Sequence, residues 1–267
     1  MPRRVRTIPL KKKYGQHFLR QESYAYQMLD QVALDKNSSV FEIGGGDGFL
    51  TRIILQEKLA RLWVFEIDPD WVAYLKQNIV DPRVTIIDAN ILDVDFAIFK
   101  TYKPWTLLAN LPYQITFPVL HRLHENRDFL KEGVIMIQEE VAQKILKTHG
   151  RGYGFSSLFF QYYFELRALS KVPPSAFYPP PKVFSRLLYF KPHAYLDPIP
   201  DEERFWKFVK VCFKQPRRTL KNNLIQVYIN LSLIPEQYLN LRAQQLSMED
   251  FLELWELIRN KLIKKTS

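Results

Sequence analysis

Thiols are almost absent. Cys212 is the single cysteine in 267 residues, which excludes an internal disulfide and suits a reducing compartment such as the cytoplasm. With one cysteine and five scattered histidines, no ligand spacing for a metal is present and no structural zinc is expected. No apolar run approaches the roughly 18 residues needed to span a bilayer, so no membrane partner is expected. Repeats and low-complexity tracts are missing too. Apolar residues at 47% and charged residues at 25% are ordinary for a folded chain, which excludes disorder and collagen. A chain of this length can bury a core without covalent staples.

Acids are missing from two stretches. Residues 1–21 hold seven basic side chains (Arg3, Arg4, Arg6, Lys11, Lys12, Lys13 and Arg20) and no acid, and residues 204–235 hold seven more and again no acid. Residues 22–194 balance 19 basic against 19 acidic side chains, so the net +10 resides in a leading arm and one late element. Charge placed this way suits a polyanion, and a merely solvated surface is the plainer alternative. The Arg-rich start resembles an organellar presequence, but it lacks serine enrichment and a motif begins at Gly15, so it is read as part of the working chain.

Short apolar runs recur at Ser39–Ile43, Arg61–Ile67, Arg83–Ile87, Trp105–Asn110 and Gly133–Gln138. Few of them alternate with polar residues, which predicts strands of a parallel sheet buried on both faces. Helical patterns lie between them at Gln21–Leu34, Phe49–Gln56, Trp71–Asn78, Phe117–Glu125 and Glu139–Lys147. The alternation predicts an α/β layered domain. Ser156–Leu166 and Phe184–Phe190, joined by the Pro-rich stretch Val172–Val183, read as a late antiparallel pair at a sheet edge. Lys191–Pro200 reads as a linker, and everything after Glu202 as helices. The predicted division is a basic arm over 1–20, an α/β domain over 21–192 and a small helical domain over 201–267. The segment Arg204–Lys214 places Phe205, Phe208, Val209 and Cys212 on one face and Arg204, Lys207, Lys210 and Lys214 on the other.

The run Val40-Phe41-Glu42-Ile43-Gly44-Gly45-Gly46-Asp47-Gly48 is a strand entering a glycine turn and a helix. Gly44, Gly46 and Gly48 remove Cβ atoms where backbone must approach a ligand, and a helix start offers unpaired N–H groups. Glu66 ends the next strand where an acid grips ribose hydroxyls, and Asp88 ends the third, placed to bond an adenine amine. The spacing is G-x-G-x-G, so a dinucleotide site or a plain tight turn competes. The three elements together favour a nucleoside cofactor without a pyrophosphate, of which S-adenosyl-L-methionine is the common one.

Asn110-Leu111-Pro112-Tyr113 closes the fourth strand, at the end of the sheet where ligands bind. An exocyclic adenine nitrogen is a poor nucleophile because its lone pair is delocalised into the ring. Two acceptors that bond its hydrogens would favour an sp³-like nitrogen, and the Asn110 side-chain oxygen and the Leu111 carbonyl can supply them. Pro112 pushes Leu111 toward extended geometry and keeps that carbonyl out of a helix. Tyr113 offers a face for a flipped base. A strand-ending Asx turn with a core tyrosine is the plainer alternative.

These residues together resemble the KsgA-type small-subunit ribosomal RNA adenine N6,N6-dimethyltransferase family, from about Lys11 to Ile258. The resemblance begins at Tyr14-Gly15-Gln16-His17-Phe18-Leu19 and runs in order through Glu42–Gly48, Glu66-Ile67-Asp68, Asp88-Ala89 and Asn110–Tyr113. It continues through Val172–Phe177 with Pro180–Ser185, Thr219–Leu224 and Gln245–Phe251. It implies a Rossmann-like class I methyltransferase sheet with a small C-terminal all-helical domain. It implies cofactor contacts from His17, Leu19, Gly44, Glu66, Asp88 and Asn110, and Phe177 as a second aromatic wall for the base. The implied reaction is dimethylation of the N6 amines of two adjacent adenosines near the 3′ end of small-subunit rRNA. The implied partner is an immature ribosomal subunit met by a monomer, with no DNA. Large-subunit (Erm) methylases with a similar Asn-x-Pro-Tyr, and an RNA-binding assembly factor with secondary methylation, are the alternatives. The chain departs from the family at His17, at Gly45 where proline is frequent, at Arg186 where a small residue is usual, and at Pro216, which is expected to bend a helix. His121 with His124, the acids Glu139 and Glu140 at a helix start, and Cys212 read as packing or helix-dipole residues, and the aromatic stretch Phe155–Phe164 reads as sheet core before a base-stacking platform.

Overall fold

The computed structural model describes residues 8–225 and 230–261. Arg3, Arg4 and Arg6 of the basic arm lie outside the described residues. The chain divides into two compact units, residues 1–142 with 165–192 and residues 143–164 with 193–267. The division predicted from sequence had kept 143–164 in the α/β domain.

Among the described residues the first unit holds nine strands: β1 (Phe18–Leu19), β2 (Ser39–Ile43), β3 (Arg61–Glu66), β4 (Val84–Asp88), β5 (Trp105–Asn110), β6 (Leu130–Gln138), β7 (Phe164–Val172), β8 (Phe177–Tyr178) and β9 (Ser185–Pro192). Seven of them form one sheet in the order β4-β3-β2-β5-β6-β9-β7. The five strands from β4 to β6 are parallel, and β9 runs antiparallel to β6. The helices α1 (Glu22–Leu29), α2 (Phe49–Ile54), α3 (Pro69–Asn78), α4 (Thr116–Glu125) and α5 (Glu139–Ile145) follow the strands in turn.

Alternation along the strands sorts the two faces. Val40, Leu62, Val64, Leu108 and Val134 point to one layer, with Met28, Ile54 and Leu75 from α1, α2 and α3. Phe41, Trp63 and Phe65 point to the other, where Phe41 stacks on Trp105 at 4.6 Å and meets Phe99 edge-on at 5.0 Å. Burying each such ring is worth about 1.5–3 kcal/mol, and with both faces covered the strands need no polar side. β2 ends at the centre of the sheet between β3 and β5, so its following turn opens into the crevice at the strands' carboxyl ends. β1 pairs with β8 apart from the main sheet, Phe18 opposite Tyr178 and Leu19 opposite Phe177. That pairing draws the Gly15–Leu19 opening and the Pro-rich stretch together.

The second unit is helical: α6 (Phe155–Tyr163), α7 (Glu202–Cys212), α8 (Leu220–Leu224), α9 (Glu236–Leu239) and α10 (Met248–Ile258). The stretch read as strand Ser156–Leu166 is helix through Tyr163, and β7 begins only at Phe164. Its rings form this unit's core, not sheet core: Phe159 meets Trp206 at 4.9 Å, and the Trp206 indole N–H donates to the Tyr163 hydroxyl at 2.6 Å. That hydroxyl donates in turn to Glu202. Trp255 of α10 stacks on Phe208 at 5.9 Å. Ser247 accepts from the Asp250 N–H at 3.1 Å while Asp250 accepts from the Ser247 N–H at 2.8 Å, a capping box that starts α10. Pro216 bends no helix. It lies in the turn between α7 and α8. The face of α7 opposite the core carries Arg204 and Lys207, paired with Asp201 and Glu203. Lys210, Lys214, Arg217, Arg218 and Lys221 are exposed and have no acidic partner among the described residues. No helix of the described residues is long and apolar enough to cross a membrane.

Candidate active site

A cavity of ≈ 330 Å³ opens at the carboxyl ends of β2, β3 and β5, lined wholly from the first unit. The volume falls in the range of small-molecule sites. Its floor is the glycine turn after β2. Gly44, Gly46 and Gly48 all have positive φ, at +80°, +52° and +76°. A side chain on Gly46 would meet the Phe18 ring at 2.6 Å. Gly45 has no such φ, but its backbone presses on the helix-side core, where a Cβ would lie 2.4 Å from Val64 Cγ1 and 2.9 Å from Leu75 Cδ1. The turn is thus held by shape as well as by backbone freedom.

Glu66 anchors the turn. Its Oε2 accepts from the Gly46 N–H at 2.8 Å, and its Oε1 accepts from the Ile67 and Asp68 N–H groups, both at 2.9 Å. Burial pushes this carboxyl up, against the pull of the three donors. Oε2 keeps a lone pair for a ligand hydroxyl. Glu42, within β2, is a lining residue that the motif reading left without a role. It is fully buried, its Oε2 accepts from the Thr51 hydroxyl at 2.7 Å, and its Oε1 has no partner among the described residues. Burial outweighs the Thr51 bond and, helped by the charges of Glu66 and Asp47, pushes the carboxyl up to about 8. A charged residue in the middle of an apolar strand was the sequence signal for it.

The N-terminal segment packs along the cavity. Lys11 Nζ pairs with Asp68 at 2.5 Å and with Asp70 at 2.7 Å, and Gln16 donates to Asp68 at 3.0 Å. Arg20 pairs with Asp47 at 2.6 Å. Two cations of the basic arm are therefore held by the fold itself. His17 Nδ1–H donates to the Pro179 carbonyl at 2.8 Å, and the His17 ring faces the Tyr113 ring at 5.8 Å and 26°.

The turn after β5 carries the predicted acceptors. Asn110 Nδ2 donates to the His17 carbonyl at 2.9 Å. This bond orients the amide, and its Oδ1 has no partner among the described residues. The Leu111 N–H donates to the Met136 carbonyl at 3.2 Å, and the Leu111 carbonyl accepts no bond among the described residues. Pro112 and Tyr113 line the same wall. The Tyr113 hydroxyl shares a hydrogen bond with Ser185 Oγ at 2.7 Å, and burial raises its pKa, so the phenol stays neutral.

The cavity thus brings together His17, Leu19, Gly44, Gly46, Glu66, Asn110, Leu111, Pro112 and Tyr113. It does not bring in Phe177, whose ring is 5% exposed in the helix-side core with Leu19, Ala25 and Leu187. In a two-residue strand one side chain faces in and the next faces out, and pairing with Leu19 turns Phe177 inward. The ring across from Tyr113 is His17. Asp88 is also not a lining residue: β4 is the edge strand, Asp88 is exposed there, and its neighbours Ala89 and Asn90 reach the cavity instead. Arg186, unexplained by its sequence, donates from Nε and Nη2 to both oxygens of Glu139, each at 2.6 Å, and from Nη1 to the Leu169 carbonyl at 2.8 Å. Glu139 is accordingly half of an ion pair, more than a helix-dipole acid. His121 is exposed, and His124 lies 3.3 Å from the Arg127 guanidinium.

The charge of the lining selects among cofactors. Asp47 and Glu66 face one lysine or arginine, Lys13, among the described residues, and Glu42, holding its proton, adds no charge. A pyrophosphate would meet carboxylates here. A ligand with a sulfonium and an ammonium would meet the carboxylate oxygens of Glu66 and Asp47. The residues present fit S-adenosyl-L-methionine: Glu66 for the ribose, the glycine turn for close approach, and the acidic lining for positive charge.

A sequence profile described as ribosomal RNA adenine dimethylase matches residues 8–260. The chain belongs to that family. It is therefore an S-adenosylmethionine-dependent methyltransferase that acts on RNA. Relatives include the ribosomal RNA small subunit methyltransferase A of Chlorobium chlorochromatii, 36% identical over 95% of each chain. The protein of the same name from Mesomycoplasma hyopneumoniae is 35% identical over 94% of this chain and 97% of its own. Among solved structures, a dimethyladenosine transferase from Plasmodium falciparum superposes with a TM-score of 0.76 at 21% identity, covering 90% of this chain and 96% of its own. The 23S rRNA methyltransferase ErmE superposes at 0.68 and 22%, covering 91% and 99%. These two share the family fold, a Rossmann-like sheet with helices after it.

Proposed function

We propose that the protein dimethylates the N6 amines of two adjacent adenosines near the 3′ end of small-subunit rRNA, acting in the cytoplasm as a monomer on an immature ribosomal subunit. The observation that carries this is the pair of unsatisfied acceptors at the end of β5. Asn110 Oδ1 and the Leu111 carbonyl stand side by side in the chain, with the amide's other end tied to His17. Two acceptors suit the two hydrogens of an exocyclic amine, and they favour a nitrogen whose lone pair points away from the ring. S-adenosylmethionine, when bound, supplies an electrophilic methyl group on a sulfonium. Tyr113, its hydroxyl pinned by Ser185, presents a ring face for the flipped base. No strong base is needed. The gain comes from alignment and from dipoles already oriented before the substrate arrives. The five unpartnered cations of the second unit suit RNA phosphates.

The names of the relatives support the small-subunit substrate. The test is methyl incorporation into undermethylated small subunits, with mass-spectrometric mapping of the modified nucleotide. Asn110→Ala is expected to lower the turnover number by about 10²–10³-fold, the cost of removing one preorganised polar group. Full activity in that variant would remove the assigned role, and modification mapped to large-subunit RNA would replace the substrate.

A further inference from the structure

Two large aromatic side chains stand in the open beside the cavity. Tyr178 is 60% exposed and Phe184 is 44% exposed, one at each end of the Pro-rich segment that joins β8 to β9. Each is the chain neighbour of a residue that holds one of the cavity's two facing rings. Pro179, next to Tyr178, accepts from His17 Nδ1–H at 2.8 Å. Ser185, next to Phe184, bonds the Tyr113 hydroxyl at 2.7 Å. Both exposed rings therefore stand one residue outside the walls of the base-binding cavity.

The backbone fixes both positions. Tyr178 is held by its pairing with Phe18 across β1 and β8, and the alternation that buries Phe177 turns Tyr178 outward. The Phe184 carbonyl accepts from the Glu139 N–H at 3.0 Å. Charge accompanies the rings. Lys171 Nζ lies 4.3 Å over the Phe184 ring. Lys171 and Lys182 are both exposed, with no acidic partner among the described residues. Exposed aromatics interleaved with unpaired lysines match single-stranded RNA, whose bases stack on π-faces while phosphates take the ammonium groups. A protein partner of ordinary apolar chemistry would leave the two lysines unmatched.

We propose that Tyr178 and Phe184 form a stacking platform for the unpaired nucleotides that flank the target adenosine, with Lys171 and Lys182 on their phosphates. The proposal rests on the reading that the target base enters the cavity beside Tyr113. When one of two adjacent adenosines is in the cavity, the other has lost its stacking neighbour, and a ring one residue outside the wall replaces it.

The test is steady-state methyl transfer to undermethylated small subunits by Tyr178→Ala, Tyr178→Leu, Tyr178→Phe and Phe184→Ala. Each alanine variant is expected to lower kcat/KM for the subunit by about 5- to 150-fold, the range for loss of one base–aromatic stack. The KM for S-adenosylmethionine and the thermal midpoint should stay at their original values. Tyr178→Phe should restore the activity and Tyr178→Leu should not, because leucine supplies apolar area without a π-face. Alanine variants within twofold of the unmodified protein, or leucine restoring as well as phenylalanine, would overturn the platform. Full activity in Tyr113→Ala, measured alongside, would overturn the base-entry reading, and the platform with it.

Discussion

Glu42 makes the stability of the first unit a reporter of a single proton. Its carboxyl has no solvent, one hydroxyl donor and one orphaned oxygen, which is why it titrates near about 8 and not near its ordinary 4.5. Between those values the folded state holds a proton that the unfolded chain has released. The stability contributed by the neutral carboxyl is therefore complete below about pH 4.5 and is lost as pH rises through about 8. Inside that window the slope is about 1.4 kcal/mol per pH unit. For a domain of this size about 1 kcal/mol moves the midpoint by about 2–4 °C, so the expected fall is about 3–6 °C per pH unit. Glu42→Gln copies the neutral form in shape, keeps an acceptor for Thr51 and does not titrate. Melting both proteins by circular dichroism from about pH 6 to about pH 9 isolates this group, because every other titration is common to the pair. The midpoint of the unmodified protein should drop steadily relative to the variant and then run parallel to it above the titration. Parallel curves over the whole range would mean that the buried carboxylate is ionised throughout, and the account of Glu42 would be wrong.

Other outcomes follow from the same geometry. Gly46→Ala places a methyl group against Phe18 at a φ of +52°; a titration calorimeter should show S-adenosylmethionine affinity reduced at least about tenfold, in line with about 1–2 kcal/mol of backbone strain plus the clash. Arg186→Ala removes the bidentate donor from the largely buried Glu139 and should lower urea-unfolding stability by about 2–3 kcal/mol, less than for a fully buried pair because Arg186 keeps some exposure. Arg186→Met combined with Glu139→Gln should recover most of that loss, and strictly additive effects would argue against the pair. Neutralising Lys210, Lys214, Arg217, Arg218 or Lys221 should reduce the slope of log affinity for RNA against log salt by about 0.7 per lost phosphate contact. An unchanged slope in all five would take this face out of RNA binding.

Where a segment is buried on both sides, its sequence carries the whole message. Ser39–Ile43 and Trp105–Asn110 were readable to the residue because nothing in them must face water. The turns that follow were readable because only glycine or an Asn-x-Pro run suits the backbone there. Phe155–Tyr163 misled for the same reason. Five of its nine residues are buried, so the helical period fades and the rings look like strand. Phe177 shows a second limit. Which way it faces is decided by pairing with Leu19, far away in the chain, and no local pattern encodes that. Arg186 shows a third: the β6–β9 register sets it opposite Ile137 and beside Glu139, so its partner is visible only once the sheet is assembled.

The crowding at Gly45 has an engineering corollary. Proline is the usual device for stiffening a loop, acting by restricting the unfolded chain. At this position the ring would occupy space already filled by Val64 and Leu75. Room must be made first, by trimming one of those neighbours, and the intermediate would carry a void in a close-packed interior. A laboratory evolution experiment that selects for a rigid loop would have to cross that less stable intermediate, or acquire both changes in a single step.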